Sequence, residues 1–332
     1  MFRYNKNMIK KQFFLFFLLL LHSLESVTVF ILDKTKQYKI CIVIPAYNEQ
    51  DRIANTLTAY IKYFKTISYL KVTFLVVANN CKDNTVQICK KLASKHKSIT
   101  LIDIAPGGKG LAVKTGFERA LKSNYDLIGF VDADMATLPE HFYDLIEAAN
   151  GHDGAIASRY CKGAQIISKT SYFKKLNGNL FNWIIKKRFK FPFEDTQCGA
   201  KIFTHDTIAL VTPDMQERGW YFDIELLYLC TINGKSIVEV PTTWKDQPGS
   251  HFQFNLDRMK EIFKDQNKVL KRHATKAKKY FAQQKQVKRE ARAQKRREKR
   301  LRRQTKKSKK LIQRYSASKQ PETKRKSARY LI

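Results

Sequence analysis

No C-x-x-C pair and no Cys/His cluster at zinc-ligand spacing occurs in this 332-residue sequence; its six cysteines, Cys41, Cys81, Cys89, Cys161, Cys198 and Cys230, lie scattered. That excludes a metal finger. Several of them sit inside apolar runs, the usual setting of a buried free thiol, which points to a reducing compartment. Neither G-x-x-x-x-G-K-[ST] nor G-x-G-x-x-G is present, so the P-loop and dinucleotide-binding classes are set aside. No solenoid repeat and no RNA-binding module is found. Acids are scarce, with 29 Asp and Glu against 63 Lys and Arg, a formal net charge of +34.

What is present is enough apolar material for a sizeable core, 43% hydrophobic and 12% aromatic, which excludes global disorder despite the charge. The charge is concentrated. Residues 271–332 hold 26 Lys and Arg against three acids, Glu290, Glu298 and Glu322, a segment net of +23, and residues 1–270 carry the remaining +11. At the other end Arg3, Lys6, Lys10 and Lys11 precede the apolar run 13–21, and a second apolar stretch, 27–32, follows a polar patch. Two readings stand. A basic head, a short apolar run and small residues near Ser26 describe a secretory signal peptide. Residues 13–32 taken together describe a membrane anchor, with Glu25 inside it costing about 2.5–3.5 kcal/mol.

Between the ends, apolar β-branched runs at 40–44, 72–77, 99–104, 127–131 and 155–158 alternate with helical patterns at 52–64, 85–95, 111–121 and 138–149. Near-continuous apolar strands imply a sheet covered on both faces, hence a mostly parallel α/β sandwich. In such a sheet the ligand lies beyond the carboxyl ends of the strands. The residues expected there are Pro45-Ala46-Tyr47-Asn48-Glu49, Asn79-Asn80, Pro106-Gly107-Gly108-Lys109-Gly110 and Asp132-Ala133-Asp134. Two carboxylates directly after a buried strand can share a hard cation, Mg2+ or Mn2+, whose other positions water and phosphate oxygens fill. The glycine loop opening a helix offers N–H groups and Lys109 to anionic oxygens, or is simply a tight turn.

Taken in order, Ile42-Val43-Ile44-Pro45-Ala46-Tyr47-Asn48-Glu49, Gly107-Gly108-Lys109-Gly110, Val131-Asp132-Ala133-Asp134, Ser158-Arg159-Tyr160 and Asp195-Thr196-Gln197-Cys198-Gly199-Ala200-Lys201 resemble the inverting family 2 glycosyltransferases of GT-A fold. The segment from Trp220 to Leu227, then Glu239-Val240-Pro241, Trp244 and Gly249-Ser250, extends the likeness over roughly residues 38–268. The members most similar in motif act on polyprenyl phosphates, the dolichyl-phosphate β-glucosyltransferases and their bacterial relatives among them. The resemblance implies roles. Pro45, Ala46, Tyr47, Glu49 and Asn79 would line the nucleobase and ribose pocket, Asp132 would contact ribose or metal, and Asp134 would ligate the metal. Lys109 and Arg159 would face phosphates, Asp195 stands where hydroxyl-directed members carry a base, and Asp223 with Glu225 would lie on the acceptor side. One departure is Asn79-Asn80, where the family usually has an acid after the second strand.

A phosphate acceptor is ionised at neutral pH and needs no base, whereas a hydroxyl acceptor does. The stretch 163–193, with Lys169, Lys174, Lys175, Lys186, Lys187 and Arg188 interleaved with Phe173, Leu176, Phe181, Trp183, Ile184 and Ile185, reads as an amphipathic acceptor region at a membrane surface or as a core helix with a charged outer face. The organisation read from the chain is a signal or anchor segment over 1–36, a GT-A domain over 37–254, a C-terminal helix over 255–284 and a basic tail over 285–332, solvated helix or disordered arm. The expected reaction is transfer of a hexose, glucose from UDP-glucose, to a polyprenyl phosphate at a membrane, with the catalytic domain facing the cytoplasm. Transfer to a sugar or protein hydroxyl is the second reading. In the third, the tail binds RNA or a surface while the enzyme scaffold is degenerate; for the tail itself an anionic membrane is favoured over RNA.

Overall fold

The computed structural model describes residues 30–167, 182–245 and 256–318, and the chain divides into two units, Met1–His273 and Ala274–Ile332. The expected N-terminal segment up to residue 29, Lys169, Lys174 and Lys175, Gly249-Ser250 and the end of the tail lie outside the described residues. Among those described, no helix is long and apolar enough to cross a membrane.

The first unit is built on strands β1 (Tyr38–Ala46), β2 (Leu70–Asn79), β3 (Ile99–Ile104), β4 (Leu127–Val131) and β5 (Gly154–Ser158), separated by helices α1 (Ile53–Phe64), α2 (Thr85–Lys95), α3 (Lys109–Ala120) and α4 (Pro139–Ala148). Every residue of β1 except Lys39 is buried, the signature of a strand covered on both faces. In α1 the buried residues Ile53, Thr56, Leu57, Tyr60 and Phe64 fall at helical spacing and set one stripe against the sheet. The chain then adds β6 (Gln165–Ile167), β7 (Ala200–Thr204), α5 (His205–Val211), α6 (Phe222–Ile232), β8 (Ile237–Pro241), β9 (Thr243–Lys245) and α7 (Leu256–Arg272).

The large sheet has the order β3-β2-β1-β4-β7-β5-β8. All its pairs are parallel except those of β7, which runs antiparallel to both β4 and β5. The chain leaves β1 outward through β2 and β3 and then crosses back to β4, so the topological switch, and the crevice it opens, falls between β1 and β4. A short second sheet, β6 beside β9, follows the ends of β5 and β8 on the same edge.

The antiparallel strand was not anticipated, and it changes which loops reach that edge. A parallel strand delivers the residues that follow it; β7 delivers those that precede it, 195–199. All six cysteines are free thiols, four of them buried, as expected. The stretch read as one helix over 255–284 is two, α7 and, in the second unit, α8 (Ala274–Ser318). Almost all of α8 from Ala282 to Ile312 is exposed.

The contact between α3 and β1 leaves no spare volume: a Cβ on Gly116 would stand 2.4 Å from Val43 Cγ1. Valine is stiff at χ1 and cannot swing aside. Gly116→Ala should therefore lower stability by about 1–3 kcal/mol despite its better helix propensity, read as a lower urea midpoint. Val43→Ala in the same chain should recover part of the loss. An unchanged or higher midpoint for Gly116→Ala would contradict this packing.

Candidate active site

Asp132 and Asp134 stand just past β4, beside the switch point, and their loop is pinned from two sides. From α1, Thr56 Oγ1 donates to the Ala133 carbonyl at 2.6 Å and Tyr60 OH to the Thr137 carbonyl at 2.9 Å. From the start of β7, the Gly199 carbonyl accepts from Asp132 N at 2.9 Å. A Cβ on Gly199 would sit 2.0 Å from Asp132 Oδ2, so any other residue here would force the carboxylate to move. Asp134 Oδ1 accepts from Ala136 N, and Met135 between them has φ +60°, a left-handed conformation that costs a non-glycine residue about 1–3 kcal/mol. Asn48 and Asn80, after β1 and β2, are left-handed too, so three chain reversals bend residues over this rim. Thr56 and Tyr60 escaped the sequence reading, where the buried hydroxyls on one stripe of α1 were the available cue, and Gly199 stood in the motif 195–201 without a role of its own.

Charge at the rim is unbalanced. Glu49 is held by both nitrogens of the Arg52 fork, at 2.6 and 2.8 Å, and Lys109 Nζ lies 2.6 Å from Asp132 Oδ1. Burial raises the Asp134 carboxyl above its ordinary range, and the Asp132 charge pushes the same way. Glu49 is raised by burial as well, with Asp134 and Asp132 adding to it against Arg52. Burial alone would lower the Lys109 ammonium, but Asp132 and Asp223 outweigh it and hold the group above its usual value. Three carboxylates against two cations leave an excess negative charge. Among the described residues no three His, Cys, Asp or Glu side chains are grouped to hold a metal ion. A donor set of two carboxylates with unmet negative charge fits Mg2+ or Mn2+, which completes its shell from water and phosphate, and not zinc.

The glycine loop is shaped by protein, not by an open anion cradle. A Cβ on Gly108, whose φ is +139°, would meet the Arg218 carbonyl at 2.5 Å, and one on Gly110 would meet the Glu217 carbonyl at 2.3 Å. Segment 217–219 presses on the start of α3, and Leu111 N donates to Arg218 O. The N–H of Gly108 goes to Asn79 Oδ1, while Asn79 Nδ2 donates to Ala46 O. Asn79 is thus a buried tie between the end of β1 and the glycine loop, where a contact to a base edge was expected. Pro45 and Ala46 end β1, and Tyr47 is half-exposed beyond them. Trp220, also half-exposed, places its ring 5.2 Å from Lys109 Nζ.

Arg159 and Asp195 meet as a fork. Arg159 Nε and Nη2 bond the two carboxylate oxygens at 2.7 and 3.0 Å, and Arg159 N and Gln197 N add two more bonds. Asp195 is fully buried; burial alone would raise its carboxyl, but the Arg159 charge and these hydrogen bonds hold it below the usual range. Glu239 on β8 accepts from the backbone N–H groups of Glu194 and Asp195 and so fixes the loop. The Arg159 guanidinium also lies near the rings of Tyr160 and Trp244, at 5.4 and 5.5 Å. Among the described residues its Nη1 has no hydrogen-bond partner.

Asp223 and Glu225 have internal partners in place of the acceptor contacts expected of them. Asp223 pairs with the fully buried Lys201 at 2.6 Å, joining α6 to β7. Glu225 accepts from Arg272 Nη1 at 2.5 Å, lies 2.9 Å from His273 Nε2, and accepts from the N–H groups of Gln216 and Glu217. It secures the loop that shapes the glycine turn. Residues 182–189 are helical, with Ile185 and Phe189 buried, Trp183 exposed, Lys186 paired with Glu194 and Arg188 with Asn267.

The family model for glycosyl transferase family 2 matches residues 41–210. A dolichyl-phosphate beta-glucosyltransferase of Trichomonas vaginalis is 32% identical over 61% of this chain, and the match spans 63% of that protein's length. Proteins of the same name from Drosophila melanogaster and Saccharomyces cerevisiae are 29% and 28% identical, over 69% and 67% of this chain and 74% and 71% of their own. A mycobacterial protein of known crystal structure, 15% identical, superposes with a TM-score of 0.50 over 72% of this chain and 75% of its own, a likeness of fold alone. With the family match, the mostly parallel sheet between helices is the GT-A architecture that the motifs led us to expect.

If Asp132 and Asp134 hold a cation, protons must compete with it. Asp134 and Glu49 take up protons at a higher pH than ordinary carboxylates, so affinity should weaken as pH falls from neutral toward about 5. Titration of Mn2+ followed by the electron-spin signal of the free ion should show one site that Asp134→Asn removes, with the melting temperature of the apoprotein unchanged or raised as a repulsion is relieved. Equal Mn2+ binding by Asp134→Asn would refute the assignment.

Proposed function

This chain belongs to glycosyl transferase family 2, and on that premise we propose that it transfers glucose from UDP-glucose to a polyprenyl phosphate of the dolichyl type, at a membrane surface and with inversion. The acceptor oxygen attacks the anomeric carbon, the new C–O bond forms, and the bond to the nucleoside diphosphate breaks on the opposite side. The names of the three relatives support the sugar and the lipid; the nucleotide is inferred from the diphosphate-suited rim.

The observation that carries the choice of acceptor is the state of Asp195. A general base must have a free lone pair aimed at the proton and a pKa near the working pH. Asp195 is buried, accepts four hydrogen bonds and is held below the ordinary carboxylate range. It suits the orienting of Arg159 better than proton abstraction. Arg159, its plane locked, then offers Nη1 to an acceptor that arrives already ionised. Transfer to a sugar or protein hydroxyl, the competing reading, would ask this saturated carboxylate to take a proton.

On the donor side Asp132 and Asp134 would hold the divalent ion, which when bound supplies charge stabilisation to the departing diphosphate. Lys109 is kept charged by Asp132 and Asp223 and is braced by the Trp220 and Phe222 rings, so it can face phosphate oxygens without losing its proton. Tyr47 and Glu49 border the space for the nucleoside. Nucleotide sugars are generally cytosolic, so the catalytic edge is assigned to the cytoplasmic side of the membrane. Lys174 and Lys175 are assigned to the lipid phosphate.

Steady-state transfer of labelled glucose to polyprenyl phosphate and to a sugar hydroxyl tests the reading. Asp195→Asn should keep the maximal rate on the phosphate acceptor within about tenfold and raise its KM, because the side chain acts through Arg159. Arg159→Gln, and Lys174→Gln with Lys175→Gln, should raise the same KM. Melting curves identify any variant that fails to fold, a concern because breaking a buried pair costs about 3–5 kcal/mol. A rate loss of about 10²-fold or more for folded Asp195→Asn, with turnover on hydroxyl acceptors only, would overturn the phosphate reading.

A further inference from the structure

Helix α8 carries 19 Lys and Arg and two acids, Glu290 and Glu298, over 45 residues. These charges are not spread evenly around it. At 3.6 residues per turn, 16 of the 19 cations fall within one half of the circumference. Lys285, Lys288, Arg292, Lys295, Lys299 and Arg303 mark its middle; only Lys276, Lys279 and Arg297 lie off it. Both glutamates lie on the other half, together with the exposed apolar residues Val287, Leu301, Leu311 and Ile312.

We propose that this cationic face is a docking surface for an anionic phospholipid bilayer, laid against the headgroups along its length without insertion. The helix is about 68 Å long, and from Lys285 to Arg314, about 45 Å of it, the cationic half keeps its bearing with Arg297 alone turned away. A plane stays tangent to a straight helix over that distance. A duplex groove winds away within about 34 Å, so RNA would meet only part of the face. Insertion is ruled out by the arrangement of the apolar residues: Val287, Leu301, Leu311 and Ile312 lie opposite the cations, and burying them would turn the cations away from the headgroups. They are also too few to form an inserting face. What remains is attraction between fixed cations and lipid phosphate or serine headgroups, felt within a Debye length of about 8–10 Å. A cation on the far side of a helix about 10–12 Å thick contributes little to it.

This surface adds a membrane contact to the lipid-acceptor reading and is tested independently of it, since the vesicles used contain no polyprenyl phosphate. Two full-length variants lose the same charge. In one, Arg292, Lys299 and Arg303 become Gln, and in the other Lys276, Lys279 and Arg297 do; glutamine preserves helix propensity, which circular dichroism verifies. Co-sedimentation with phosphatidylcholine vesicles containing phosphatidylserine, at about 0.15 M salt, where the Debye length of about 8 Å is shorter than the helix is thick, is expected to weaken by about 10²-fold for the first variant and by less than about tenfold for the second. Vesicles of phosphatidylcholine alone should bind neither variant nor the unaltered chain. Equal losses for the two variants, equal binding to uncharged vesicles, or binding to duplex RNA without binding to phosphatidylserine vesicles would each overturn the proposal.

Discussion

The site depends on one strand running the wrong way. β7 enters the sheet antiparallel between β4 and β5, so the residues leading into it arrive where β4 delivers Asp132. The hydrogen bond from Asp132 N to Gly199 O joins the two, and the missing side chain of Gly199 is what lets the Asp132 carboxylate occupy that space. With the crossing reversed, Asp195 would lie at the far edge of the sheet and Arg159 would be left without its carboxylate. The buried Lys201–Asp223 pair holds the same strand to α6, and Glu239 holds the 194–195 backbone from β8. Each tie is long in sequence and short in space, so the position of β7 is fixed by tertiary contacts and not by local propensity.

Much of the edge was legible because it obeys local rules. The apolar run of β4 ends abruptly in two carboxylates, and alternation of buried strands with helical stripes fixes which end of the sheet they occupy. The parts that were not legible share a cause: their partners lie far along the chain. Ala200–Thr204 contains Lys201, which reads as exposed until Asp223, 22 residues on, neutralises it. The glycines at 107–110 look like an anion loop, yet the need for Gly108 and Gly110 comes from the backbone of 217–219. In α6 every residue but Thr231 is buried, so no polar stripe marks Asp223 and Glu225 as inward-facing. Motif likeness supplied the neighbourhood of these residues but not their partners.

The two halves of the site handle charge differently, and the difference fits the proposed chemistry. At the donor rim Glu49, Asp132 and Asp134 outnumber Arg52 and Lys109, so negative charge is left for a cation to meet, and the cation in turn can meet a diphosphate. At the proposed acceptor side Arg159 and Asp195 neutralise each other. A neutral pair offers little long-range attraction to a lipid phosphate, and its value lies in direction: a planar guanidinium, locked by two hydrogen bonds to Asp195 and bordered by Tyr160 and Trp244, presents its remaining donors at a fixed angle. Attraction must then come from elsewhere on the protein. Residues 1–270 carry a net +11, a field felt within about a Debye length of the surface. On the proposed chemistry recruitment and orientation would be separate: diffuse basic charge would concentrate an ionised acceptor, and one charge-balanced arginine would set its approach. An acceptor that brought its own proton would gain from neither, since it would need the free base that Asp195, held by four hydrogen bonds, does not provide.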